Sequence, residues 1–118
     1  MNGRRGATIF LALIVAAVLA RAAGEPIYDE KADARKEIEA AIARASQKCK
    51  PTRNVVLVFG ANWCPDCHAL DAHMRKPELA ALIRDGFVVV NIDVGRMNKN
   101  VDVAQRYGVQ VKRGIPAL

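Results

Sequence analysis

A short apolar segment followed at once by two closely spaced cysteines constrains this chain most. Residues 54–60, Asn-Val-Val-Leu-Val-Phe-Gly, are uncharged and rich in β-branched side chains, which is typical of a strand buried on both faces of a parallel sheet. After a brief turn comes Trp63-Cys64-Pro65-Asp66-Cys67. Cysteines at C-x-x-C spacing can open and close a disulfide without large backbone movement, so redox chemistry is the leading interpretation.

The residues after the motif predict an amphipathic helix. Its apolar positions recur every three to four residues, at Leu70, Met74, Leu79, Leu82 and Ile83. Cys64 would then lie at the helix N-terminus, where unpaired N–H groups and the helix dipole stabilise a thiolate. We therefore expect Cys64 to be the more exposed thiol and the nucleophile. Cys67, one turn later, would attack the mixed disulfide and release the reduced partner.

The remaining patterns predict one small α/β domain. Asp29 or Asp33 could cap a helix that continues to about Gln47. The apolar stripe of that helix consists of Ala34, Ile38, Ala41, Ile42 and Ala45. Pro77 should kink or divide the helix after the motif. Residues 87–94 predict a second buried strand, parallel to the first by the right-handed crossover rule, and residues 101–107 predict a short helix.

From about Val55 to Leu118 the chain resembles the thioredoxin superfamily: W-C-x-x-C after a buried strand, a helix, a second strand and then Gly-Ile-Pro. The resemblance implies an α/β thioredoxin-like fold, with a central mixed sheet flanked by helices. It implies a cis-proline at Pro116 facing the cysteines, and an Ile115 backbone that pairs with a bound peptide. Trp63 would shield the disulfide and line the same groove. The resemblance implies no bound cofactor, because electrons pass through the cysteines themselves.

Some positions depart from the family pattern. A buried acidic residue that many thioredoxins carry six positions before the first cysteine is here Val58. Asp66 and His68 are then the nearest candidates for handling a proton. The charge of Asp66 should also oppose a thiolate at Cys64, which favours a reductant. The segment 107–113 is longer than the usual link to the proline motif and could reshape the substrate groove.

By the same resemblance, the chain stops before the C-terminal hairpin and last helix of the fold. We therefore expect residues 23–118 to be a C-terminally incomplete domain. Its sheet would keep an uncovered edge, which predicts marginal stability and a tendency to associate.

The N-terminus has the pattern of a secretory signal peptide. Arg4 and Arg5 precede an apolar run, residues 7–20, and small residues follow it, so we expect cleavage after Ala22. The run is shorter than the ~20 residues that span a bilayer, which disfavours the alternative of an uncleaved anchor. The expected location is extracytoplasmic, periplasmic if the source is bacterial, with no stable membrane span after cleavage.

The charge balance gives no indication of nucleic-acid binding. The chain has 18 basic and 12 acidic residues, a net charge of +6. Removal of residues 1–22 takes three arginines away and leaves a net charge of +3. The remaining basic side chains read as solvated helix faces rather than as a nucleic-acid footprint.

Several other interpretations of the cysteines stay open. Cys64 and Cys67 could form a structural disulfide, although so small a loop makes a poor staple. Cys64-x-x-Cys67-His68 is also the attachment signature of a c-type haem, with Met74 or Met97 as a second axial ligand. These cysteines with His68 and His73 could bind a metal, or the domain could only hold peptides. The odd Cys49 is either a small apolar residue or a partner in a mixed disulfide.

The sequence therefore predicts an exported thiol-disulfide oxidoreductase, with Cys64 and Cys67 as its catalytic pair. Its substrates would be protein or peptide disulfides, and the expected direction is reduction. A membrane reductase or another thioredoxin-like donor would return electrons to the pair.

Overall fold

A computed structural model describes residues 26–48 and 50–118. The predicted signal peptide, residues 1–22, and the odd cysteine Cys49 lie outside the described residues. Within the part described, no helix is both long and apolar enough to cross a membrane.

The first described helix, α1, spans Ala34–Ala45. Asp33 caps it: one carboxylate oxygen accepts from the backbone N–H groups of Arg35 at 3.1 Å and Lys36 at 3.3 Å. The predicted Asp33 cap is therefore confirmed, and the helix ends two residues before the predicted Gln47. Four positions of the predicted stripe are buried, namely Ala34, Ile38, Ala41 and Ala45. Ile42 is half exposed, because it lies at the rim of the packed face, beside Tyr107.

Two parallel strands form the sheet, β1 at Asn54–Gly60 and β2 at Phe87–Asp93. Their register runs from Asn54 opposite Phe87 to Gly60 opposite Asp93, so the predicted parallel pairing is confirmed. An antiparallel bridge joins Phe59 to Ala117. Burial on both faces was expected along all of β1, and only its last three residues are fully buried. The expectation is wrong for the first half because its other face is only partly covered.

The helix after the motif is divided in two, as Pro77 predicted. Helix α2 spans Pro65–Met74 and α3 spans Pro77–Gly86. Proline has no N–H to donate and clashes with the preceding turn, so a new helix begins there. Leu79 and Leu82, two apolar positions of the predicted amphipathic pattern, are both exposed. Helical spacing identifies an apolar face, but it does not show whether another element covers that face.

The core lies mainly on one face of the sheet. There α1 packs on both strands, together with α4, Val101–Arg106, and a 3₁₀ turn at Val111–Arg113. A smaller cluster on the other side joins Tyr28 to Cys64 and Cys67 at the carboxyl ends of the strands. This arrangement brings the motif, the loop after β2 and the segment before α1 to one edge of the sheet.

Candidate functional site

Cys64 is the N-cap residue of α2. Its sulfur accepts a hydrogen bond from the backbone N–H of Cys67 at 3.2 Å, and its thiol donates to the carbonyl of Ile115 at 3.6 Å. Pro65 follows at the first helical position, where a missing N–H costs nothing. A sulfur at this place faces the positive end of the helix dipole. Both cysteines are free thiols here.

Cys67 is the more deeply buried of the pair, with no exposed surface against 4% for Cys64. Burial raises the pKa of Cys67 to about 11, and hydrogen bonding with Cys64 adds to the rise. Hydrogen bonds from the Ala61 backbone and from Tyr28 act in the opposite direction and lower that pKa. At neutral pH this thiol therefore keeps its proton, while Cys64 has the helix-terminal position of a nucleophile.

The predicted cis-proline is present, since the Ile115-Pro116 peptide bond is cis. Ile115 packs against the cluster of Tyr28 and the two cysteines. Beyond the proline, Ala117 exchanges two backbone hydrogen bonds with Phe59, at 2.8 and 3.0 Å. This pairing fixes the proline segment to β1 directly beside the cysteines. The structure thus brings Ile115 and Pro116 to the pair. Their role in substrate binding stays a prediction.

Trp63 lies beside Cys64 and is 47% exposed. Its indole N–H donates to the carbonyl of Gly95 at 2.8 Å, and the Arg96 guanidinium lies 5.1 Å from the ring centroid. That distance is within the range of a cation–π contact. The loop after β2 therefore holds the tryptophan in place while nearly half of its surface stays exposed.

Asp66 and His68, the predicted candidates for proton handling, are both exposed. A ring nitrogen of His68 lies 2.6 Å from the backbone oxygen of Asn62. The groups that shift the pKa of Cys67 are Cys64, Ala61 and Tyr28, and neither predicted residue is among them. A different group therefore lies next to the Cys67 thiol, on the buried side of the pair.

That group is Tyr28, which the sequence interpretation missed. Its ring is 1% exposed and packs with both cysteines, and burial followed by the charge of Cys67 raises the pKa of its hydroxyl. Asn62, just before the motif, holds Tyr28 by its backbone: the amide side chain accepts from Tyr28 N–H and donates to Tyr28 C=O, each at 2.9 Å. No spacing rule links residue 28 to the motif, so only the fold reveals the contact.

Gly60, the last residue of β1, makes the contact possible. An ideal Cβ at this position would lie 2.2 Å from the Tyr28 hydroxyl oxygen and 2.8 Å from Cys67 Sγ. Both distances are far below van der Waals contact, so a side chain here would collide with both groups. A glycine ending a strand next to a reactive motif was the one available sequence signal of a close approach.

No grouping of three or more His, Cys, Asp or Glu side chains that could hold a metal occurs among residues 26–48 and 50–118. Cys64, Cys67, His68 and His73 are thus not gathered into a ligand cluster in the structure.

Comparisons with known proteins agree with this fold. A family model described as thioredoxin-like matches residues 33–118. A solved structure titled a disulphide isomerase, from Xylella fastidiosa Temecula1, is 45% identical, with a TM-score of 0.70 over 80% of this chain and 70% of that one. A search of curated proteins found no match. The chain belongs to the thioredoxin-like family, and its α/β fold is the one expected.

Fold, paired cysteines and similarity together define a general chemistry, that of a thiol-disulfide oxidoreductase. In such a reaction the dithiol gives two electrons and two protons to a disulfide and becomes a disulfide itself.

Proposed function

We propose that this chain is an exported thiol-disulfide reductase acting on disulfides of exported proteins. One observation carries the proposal: Cys64 Sγ lies at the N-terminus of α2, between the Cys67 N–H and the Ile115 carbonyl. A thiolate there is stabilised by the helix and lies beside the cis-proline segment, where an extended peptide could pair with the backbone.

The reaction has two displacements. The Cys64 thiolate attacks one sulfur of the substrate disulfide, forms a mixed disulfide and releases the other sulfur as a thiolate, which takes up a proton. Cys67 then loses its proton, attacks Cys64 Sγ and releases the second substrate thiolate, which is protonated in turn. Trp63, Ile115 and Pro116 would contact the substrate chain, and a membrane reductase or a thioredoxin-like donor would reduce the Cys64-Cys67 disulfide again.

The raised pKa of the buried Cys67 thiol supports these separate roles of the two cysteines. A resolving thiol that stays protonated until the mixed disulfide forms does not compete with Cys64 for the first attack. The role of Asp66 and His68 in moving protons remains a prediction, since both are exposed to solvent and could exchange protons with water.

Insulin reduction with dithiothreitol tests the activity. The wild-type chain should accelerate precipitation of the reduced insulin B chain, and Cys64→Ser should abolish the acceleration. Cys67→Ser should instead accumulate a mixed disulfide with the substrate, visible by non-reducing mass spectrometry. Equal activity in all three proteins would contradict the proposal. A Soret band in the purified exported protein would favour the haem interpretation instead.

The neighbour's title favours a second direction, isomerisation, in which Cys64 attacks and later leaves without net reduction. Refolding of scrambled ribonuclease separates the two. A reductase loses its effect with Cys67→Ser, whereas an isomerase keeps much of it, because the second cysteine only rescues trapped intermediates.

Export has its own test. Expressed with its N-terminus in a bacterial host, the protein should appear in the periplasmic fraction with a mass that corresponds to a start at Ala23. A cytoplasmic protein of full mass would contradict the predicted signal peptide at residues 1–22.

A further inference from the structure

Tyr28 is fastened to the active-site edge from two sides. Asn62 grips its backbone through two hydrogen bonds of 2.9 Å. Two residues later, the carbonyl of Glu30 accepts from the Lys99 ammonium, which also pairs at 3.0 Å with the buried carboxylate of Asp93. The segment that carries Tyr28 is thus tied both to the turn before Cys64 and to the loop after β2.

The hydroxyl of Tyr28 lies close to the resolving cysteine. An ideal Cβ on Gly60 would touch the Tyr28 oxygen and Cys67 Sγ at once, so the two groups meet across this residue. A hydrogen bond between them lowers the pKa of Cys67 against the effect of burial. The thiol and the phenol are therefore neighbours on the side of the pair that faces away from solvent.

The charged groups around this contact keep the phenol protonated. Tyr28 faces Cys67, Cys64 and Asp71, and negative charge on any of them raises the pKa of its hydroxyl, in addition to burial. Asp71 lines a small cavity with Tyr28 and Cys67 and pairs with Arg75 at 2.8 Å. A phenol in such surroundings donates a hydrogen bond and does not act as a base.

We propose that Tyr28 is a catalytic residue: its hydroxyl donates a hydrogen bond to Cys67 Sγ and stabilises the thiolate that resolves the mixed disulfide on Cys64. This inference rests on the proposed function. In that step the Cys67 proton leaves to solvent, the new Sγ–Sγ bond forms and the substrate thiolate departs and is protonated. Tyr28 keeps its own proton throughout. Val58, the position where many thioredoxins carry a buried carboxylate, lines the same small cavity as Tyr28 and Cys67, so the group beside Cys67 is a hydrogen-bond donor instead of a base.

Stopped-flow reaction of the reduced full chain with dithiobis-nitrobenzoate separates the two cysteines. Attack by Cys64 releases one coloured thiolate, and attack by Cys67 on the resulting mixed disulfide releases a second. Tyr28→Phe keeps the ring that fills the pocket and removes only the hydroxyl. Tyr107→Phe is the matched control, because it removes a hydroxyl from a half-exposed tyrosine away from the cysteines.

The expected effect follows from the thiolate population. Loss of one hydrogen bond to a thiolate lowers its population at neutral pH by about 10- to 100-fold. The thiolate of a thiol with a higher pKa is also a better nucleophile, which raises the rate of attack again by about 3- to 10-fold. The second release in Tyr28→Phe should therefore be slower by about 3- to 10-fold. The first release should stay within about two-fold of wild type. Tyr107→Phe should leave both releases unchanged.

Carbon-13 NMR of labelled cysteine supplies a readout that a purely structural role would not move. The pH midpoint of Cys67 should rise in Tyr28→Phe, and Cys67→Ser assigns the signal. If Tyr28→Phe does not fold, fluorotyrosine incorporated in the Tyr107→Phe chain replaces it. A more acidic phenol is a stronger donor, so the Cys67 midpoint should then fall.

The outcomes are distinct. A slower second release with a raised Cys67 midpoint supports the proposal. Unchanged second release, equal slowing of both releases, or an unmoved midpoint overturns it and leaves the dithiol mechanism intact. If wild type gives no second release at all, the proposed function fails, and the NMR midpoint still decides whether Tyr28 stabilises the Cys67 thiolate.

Discussion

The strand-ending glycine offers the sharpest test of how the site is packed. In Gly60→Ala the new methyl group would lie 2.2 Å from the Tyr28 hydroxyl oxygen, 2.5 Å from its Cζ and 2.8 Å from Cys67 Sγ. The tyrosine is 1% exposed, and Asn62 holds its backbone in place. The ring therefore cannot rotate away freely, and either the ring or the strand end must shift.

Overpacking of a buried site by one methylene costs about 1–3 kcal/mol. Expulsion of the tyrosine ring instead would forfeit its burial, about 1.5–3 kcal/mol for a large side chain. Both routes predict a loss of about 2 kcal/mol in the free energy of unfolding. Gly86→Ala is the matched control: a Cβ built there would meet nothing within 4 Å beyond its chain neighbours and the helix's own backbone, and Gly86 ends helix α3. That change should be neutral or stabilising by up to about 1 kcal/mol.

Urea unfolding of the reduced chain, followed by far-ultraviolet circular dichroism, measures both changes. A double-mutant cycle with Tyr28→Ala identifies the cause, since Gly60→Ala should cost much less once the ring is gone. If Gly60→Ala is as stable as wild type, or if its cost is the same with and without Tyr28, the close approach of Gly60 to Tyr28 is wrong.

Three further predictions concern stability. Burial raises the pKa of Cys67 from 9.0 to about 11, so the folded state holds this proton more tightly than the unfolded state. The reduced protein should be fully stabilised below about pH 9 and lose at most about 3 kcal/mol as the pH rises through 11. Cys67→Ser should not show that part of the loss, and parallel profiles of stability against pH for wild type and Cys67→Ser would refute the prediction. Asn62→Ala should cost about 2 kcal/mol, because two hydrogen bonds to the Tyr28 backbone disappear; a midpoint equal to wild type would contradict this. Asp33→Ala should lower the free energy of unfolding by about 1 kcal/mol through loss of the α1 cap, and Asp33→Asn should retain most of the stabilisation by the cap.

Local patterns predicted much of this fold because the elements involved are specified by neighbouring residues. An uncharged β-branched run predicted β1 with both its ends, and Pro77 predicted the division between α2 and α3. The cis bond before Pro116 came from the family resemblance. For β1 and for the division at Pro77, the deciding property, a strand preference or a missing N–H, resides in the residue itself or beside it.

Other features could not be predicted because they depend on contacts between distant residues. Leu82 lies on an apolar helix face, and whether that face is covered is decided by the elements around it. Tyr28 precedes the first described helix and reaches Cys67 only when the segment before α1 folds onto the sheet edge. Proximity in sequence therefore predicts Asp66 and His68 as the proton-handling groups, although both are exposed.

The central claim is that Cys64 and Cys67 form a reversible dithiol-disulfide couple. Equilibration of the purified chain with graded ratios of reduced to oxidised glutathione, followed by acid quenching and mass spectrometry, tests it most directly. We expect a single two-electron transition in wild type, at a potential in the reducing range of thioredoxin-like proteins, and none in Cys67→Ser. A pair that remains closed, or remains open, at every ratio would contradict it.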